Sequence, residues 1–198
     1  QTPDVPFMED DAEDNDEDTR PDVQIVGDIL LGSGADTVNL LAGQIRGPLS
    51  FGAGADVFNI DDGASYAGQL TDTDGQLALN VQDGSLELQG GAVNITTATF
   101  GADSELRVLL SDVPADSTTI IATGDVTFDA GAVLRPLVPN GLPASGSHTF
   151  LVANGVLNGA ANVTGIVTGE GTPYIYNLEV AVNGVDPNAL DAVYTLKT

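Results

Sequence analysis

One phrase occurs twice in this chain, twenty positions apart. Residues 32–40 read GSGADTVNL and residues 52–60 read GAGADVFNI. The copies share Gly32 and Gly52, Gly34 and Gly54, Ala35 and Ala55, Asp36 and Asp56, and Asn39 and Asn59. Branched or aromatic apolar residues stand at equivalent places, Val38 with Phe58 and Leu40 with Ile60. Recurrence of a whole phrase at this spacing constrains the fold more than composition does, because like turns stack on like turns in repeat architectures.

The flanking sequence agrees. Short Val, Ile, Thr and Leu runs are bounded by Gly, Asp and Asn, and no stretch carries a 3.6-residue apolar period. Alternation is clean at Leu77, Leu79 and Val81 and at Leu86 and Leu88, so one face of each strand is buried and the other wet. The dipeptide Asp83-Gly84 reads as a turn between two strands. Aromatics are only 5% of the chain, so the core must be built mainly from Val, Leu, Ile and Ala. These features predict an all-β fold, a right-handed parallel β-helix (solenoid) with a β-rich C-terminal cap. In it Val38 and Phe58 stack inside, Asn39 and Asn59 form an outer amide ladder, and Pro48 sits at a corner.

Three segments are expected. Residues 1–22 are an acidic, disordered head holding ten of the chain's 29 acids. Residues 23–112 form the coils. Residues 113–198 form the last coils and a cap, which the exposed end of a repeat stack requires. The net charge is −24, which makes nucleic acid and anionic membranes poor partners. The chain has no cysteine, so disulfide and thiol chemistry are excluded. No apolar run is long enough for a spanning helix, and no direct membrane insertion is expected.

Beyond the coils come HTFLVANGVLNG, the strand YIYNLEVAVNG and a terminal AVYTLKT. This order, after glycine- and aspartate-rich coils, resembles the C-terminal part of a bacterial type V autotransporter passenger over about residues 23–198. The resemblance implies a parallel β-helix ending in an autochaperone-like cap that starts folding outside the cell. It further implies secretion across the outer membrane to the bacterial cell surface. The role it implies is non-enzymatic, a stalk or adhesin meeting a glycan or protein of a host or neighbouring cell. Two alternatives stand beside it: a filament subunit whose partner is another copy of itself, and a carbohydrate-active enzyme on the same scaffold. The enzyme requires a groove with clustered carboxylates and a basic residue on one coil face.

Candidate chemistry is sparse. The repeated phrase matches eight of the nine places in the calcium-binding nonapeptide, with Leu31 and Phe51 replacing its first glycine. Asp36 and Asp56 are therefore candidate metal ligands, and calcium is the candidate cofactor. The intervening AGQIRGPLS lacks the partner aspartate, so at most a half-site forms, and stacked structural corners are favoured. Asp14, Asp16, Asp18 and Asp22 lack the glycine and glutamate of a calcium loop. Asp72, Asp74 and Gly75 read as an ordinary turn, and so do Asp61 and Asp62. His148, at the start of a cap strand, reads as a surface or turn residue, Arg46 and Arg107 read as isolated, and no catalytic residue is assigned.

Overall fold

The structure is a computed structural model that describes residues 23–138, 142, 144–167 and 175–197. The expected acidic head and its aspartates lie outside these residues.

Three short strands open the described chain: β1 (Gln24–Val26), β2 (Ile29–Leu30) and β3 (Thr37–Leu40). The next tier repeats them as β4 (Gln44–Arg46), β5 (Leu49–Ser50) and β6 (Val57–Ile60). Each strand pairs in parallel with its counterpart one repeat on: Gln24 with Gln44, Ile29 with Leu49, Val38 with Phe58. A third tier follows as β7 (Ala64–Gly68), β8 (Leu70–Thr71) and the first part of β9 (Ala78–Leu88). Here every column steps one position further than before: Gln44 pairs with Ser65, Leu49 with Leu70 and Val57 with Ala78. The added residue falls in the turn at Asp61–Gly63, where Asp62 and Gly63 both have positive φ.

The expected break at Asp83-Gly84 is absent, because β9 runs through it. Its first part pairs with β6 and its second part with β7. The dipeptide therefore bends one strand from one column into the next tier of another. Glycine is required there: φ is +130°, and a Cβ would stand 2.3 Å from the Ala64 carbonyl oxygen.

Then come β10 (Gly91–Ile95) and β11 (Thr97–Leu109), which also serves two columns, with a register shift between Phe100 and Asp103. The strands β12 (Thr118–Ala122), β13 (Val126–Phe128), β14 (Val133–Leu137), β15 (Gly146–Ala153) and β16 (Leu157–Asn158) continue the parallel pairing at wider steps. Thr99 pairs with Thr127, and Thr127 in turn with Asn158. A four-residue helix, α1 (Ala160–Val163), and strands β17 (Gly165–Ile166), β18 (Tyr176–Val182) and β19 (Ala189–Leu196) end the described chain. Pairing turns antiparallel here: β19 lies between β15 and β18, and β17 adds to β18.

The fold is all-β with parallel sheets, and inward and outward residues follow strand parity. Ile45, Tyr66, Leu86, Leu106 and Leu134 form one buried column, and Phe58, Leu79, Ala98 and Val126 form another. Phe100 and Phe128 stack with ring centroids 4.8 Å apart. On the outer side Asn39, Asn59, Asn80, Thr99, Thr127 and Asn158 lie in register. The Asn59 amide donates to Asn39 Oδ1 at 2.7 Å and the Asn80 amide to Asn59 Oδ1 at 2.9 Å, the ladder expected from the sequence. Pro48 lies between β4 and β5, off the strands.

Candidate functional site

Two groups of polar residues stand out: an acidic corner ahead of β3, β6 and β9, and a charged patch on the outer face of β9, β11 and β14.

The corner is built from the repeated phrase. Stacking brings Ser33 beside Ala53, and Gly34 N–H donates to the Ala53 carbonyl at 2.7 Å. Gly54 fits only as glycine, since φ is +138° and a Cβ would lie 2.1 Å from the Gly34 oxygen. With the turns this close, the carboxylates of Asp56, Asp72 and Asp74 reach backbone in another tier or their own turn. Asp56 Oδ1 accepts the Asp36 N–H at 2.8 Å, and Asp74 Oδ2 accepts the Gly54 N–H at 2.9 Å. Asp72 Oδ2 accepts the Leu77 N–H at 2.9 Å. Asp72 and Asp74, read from sequence as a plain turn, thus form the third layer of this corner. The signal was present in the Asp-x-Asp-Gly spacing, which favours carboxylate-to-backbone bonds.

Asp56 is 1% exposed, and its Oδ2 has no hydrogen-bond partner. Burial raises the Asp72 carboxyl above the usual aspartate range, and the charges of Asp74 and Asp56 push it the same way. The Gly54 N–H holds Asp74 below that range. The sequence candidates Asp36 and Asp56 are therefore brought together, with one carboxylate on the other's backbone N–H. Among the described residues no group of three or more His, Cys, Asp and Glu is arranged to hold a metal ion.

The charged patch corrects the reading of Arg107 as isolated. Parallel register places Glu87, Arg107 and Arg135 in one outward column, with Glu105 in the next column. Glu105 Oε2 accepts from both Nε (2.8 Å) and Nη2 (2.5 Å) of Arg107, and Glu105 Oε1 accepts Nε of Arg135 at 2.8 Å. Arg107 also lies 3.9 Å from Glu87. Burial alone would raise the Glu105 carboxyl, but the two guanidinium groups outweigh it and hold the group below the usual glutamate range. Arg46 lies higher in the same column, with Nε donating to Gln44 Oε1 at 2.6 Å. The long separation in sequence between Arg107 and Arg135, a whole tier, hid this cluster.

An open cleft of about 350 Å³ adjoins the patch, between β14 and residues 162–167. The outer edge of β14 is unsuited to strand addition. The Leu137 carbonyl accepts from Leu110 N–H, so Leu137 faces β11 and, by alternation, Pro136 faces outward with no N–H to offer.

His148 is structural: Nε2 donates to the Thr118 carbonyl at 3.2 Å and lies 3.4 Å from the Thr119 hydroxyl. Asp61 Oδ1 accepts the Asp62 N–H inside their turn.

Comparison with protein-family models, with curated proteins and with solved structures finds no match for this chain.

Proposed function

We propose that the chain is a right-handed parallel β-helix used as a non-enzymatic stalk or adhesive rod on a bacterial surface, with its C-terminal cap supporting folding and export. One observation carries this reading. Parallel strand columns run from β1 to β16 and then meet an antiparallel unit, β17–β19, that takes up the free edge of β15. Such a change of pairing breaks the run of like tiers, since β19 occupies the edge of β15 on which the next parallel tier would form. The cap is fastened from within as well. The Leu142 N–H donates to the Tyr176 hydroxyl at 3.2 Å, and that hydroxyl donates to the Leu142 carbonyl.

Six tiers at about 4.8 Å each give a rod roughly 25–30 Å long. Calcium at Asp36 and Asp56 is not needed for this role, because the Asp56 carboxylate already ties the two turns together through the Asp36 N–H.

The enzyme reading has one observation in its favour, the cluster of Glu87, Glu105, Arg107 and Arg135. Its chemistry argues the other way. Glycoside hydrolysis needs one carboxyl protonated near neutral pH, and Glu105 is held ionised by two arginines.

The test is display of the chain between a signal peptide and an outer-membrane β-barrel. Protease-resistant material should reach the cell surface, and Leu178→Asp in the cap should leave it degraded. Equal surface protection in both strains would refute a folding role for the cap. Release of oligosaccharide from a polysaccharide panel would favour the enzyme.

A further inference from the structure

The two ends of the strand stack are treated differently. At the C-terminal end Pro136 faces outward on β14, and β19 covers β15. At the N-terminal end no described strand covers the first tier. Its inward residues are partly exposed although their partners one tier on are not: Ile25 is 49% exposed and Ile45 4%, while Val38 is half-buried above fully buried Phe58. Val26 and Leu30 are exposed as well, at 72% and 77%.

Among the described residues, nothing pairs with the outer side of the backbone there. Gly27 N–H donates to Arg46, Ile29 N–H to Pro48 and Leu31 N–H to Ser50, while the Asp36 and Leu40 carbonyls accept from Val57 and Asp61. Those residues face the second tier. By alternation, the N–H and C=O groups of Gln24, Val26, Leu30, Thr37 and Asn39 face away from it. No proline or lysine stands on β1, β2 or β3 to guard this edge.

We propose that this edge is a strand-addition site for an extended polypeptide segment carrying the same repeat phrase. The inference rests on the observed pairing and not on the surface role. What covers the second tier is the first tier, and the two share their phrase position by position. A segment of that pattern therefore meets the first tier as the first tier meets the second. Its apolar residues fall over Ile25, Ile29, Val38 and Leu40, and its glycines fall over Gly32 and Gly34. The amide of the Gln24–Gln44 pair and that of the Asn39–Asn59 pair continue their ladders by one member. Asp36 stands where Asp56 stands one tier on, placed to accept a backbone N–H as Asp56 does.

Charge selects the source of the segment. Asp28 and Asp36 lie on this tier, and no basic residue occurs between Val23 and Ile45. A partner with lysine or arginine opposite Asp28 is complementary, whereas a second copy brings the same acids and a net charge of −24. The occupant is thus a neutral or basic repeat segment, not another copy of this chain.

The probe is a synthetic peptide with the sequence of residues 24–41 and lysine replacing Asp28, added to the full chain at concentrations where the peptide alone is monomeric. Hydrogen exchange should slow at least about tenfold at Gln24, Val26, Leu30, Thr37 and Asn39, and a scrambled peptide should have no effect. Val26→Pro with Thr37→Pro removes two outward N–H groups that pair with no other described residue. That variant should melt like wild type and lose the protection. Three results overturn the proposal: no protection of these amides, equal protection in the proline variant, or self-association of the chain alone that the prolines abolish.

Discussion

Leu79 and Asn80 are neighbours on β9 that point to opposite sides of the sheet, so paired substitutions test the stack directly. Leu79 is fully buried between Phe58 on one tier and Ala98 on the next. Leu79→Ala removes three buried carbon groups, a transfer loss of about 2.4 kcal/mol. The neighbour Ala98 is too small to fill the space, and a residual cavity near 80 Å³ adds roughly 2 kcal/mol. The total of about 4 kcal/mol should lower the melting temperature by roughly 8–16 °C. Asn80→Ala removes one half-exposed amide bond to Asn59, worth about 1 kcal/mol and at most roughly 4 °C. Leu79→Asp places an unpaired carboxylate in the same space and should abolish the cooperative transition. Circular dichroism melts of the three variants measure this. If Leu79→Ala melts within about 2 °C of wild type, the inward assignment of this column fails, and with it the register drawn from the repeat.

Gly54→Ala should cost more than about 2 kcal/mol, because its Cβ meets the Gly34 oxygen, whereas Gly32→Ala meets nothing and should be nearly neutral; equal melts would refute the close stacking of the corners. Tyr176→Phe should lose about 2 kcal/mol and speed exchange of the Leu142 amide, and unchanged exchange would mean that this clasp does not hold the cap. The folded Glu105 carboxyl lies below its unfolded value, so its stabilisation is present above the unfolded value and lost as pH falls toward the folded one. Glu105→Gln should therefore melt lower than wild type near pH 7 by about 1 kcal/mol, with the gap closing as pH falls through and below the usual glutamate range; a gap independent of pH would refute the ion pairing. Calcium should leave the wild-type melt unmoved, and a shift that vanishes in Asp36→Ala with Asp56→Ala would instead establish a metal site.

The columns of the fold were legible in sequence because the repeat fixes register: once Val38 matches Phe58, side-chain parity assigns every residue of β3 and β6. The continuity of β9 was not, since Asp83-Gly84 has the chemistry of a turn, and only pairing with two different strands shows it to be a bend. The corner was half legible. Asp36 and Asp56 declared themselves by repetition, but Asp72 and Asp74 are offset in the phrase and act through backbone bonds that no pattern of side chains reveals. The charged patch was legible only in its local pair, Glu105 and Arg107 two apart on β11, and not in its partners from other tiers. Glu105 and Arg135 meet only because a wider tier brings β11 and β14 into register.

The variable step has a genetic consequence. Strand pairing demands that equivalent residues meet, yet the step varies along the chain: it grows from Val38–Phe58 to Val57–Ala78, shrinks at Asn80–Thr99, and widens again at Thr99–Thr127 and Thr127–Asn158. Most of the differences are absorbed in the connections between strands, and one in the register shift of β11 between Phe100 and Asp103. Inserted codons are therefore cheap at a corner such as Asp61–Gly63 and ruinous inside β6 or β9, where one extra residue exchanges core for solvent. Duplication or loss of a whole tier leaves every remaining strand with a partner of the same parity. A gene of this kind can change the length of its product by unequal recombination between copies of its own phrase without passing through an unfolded intermediate.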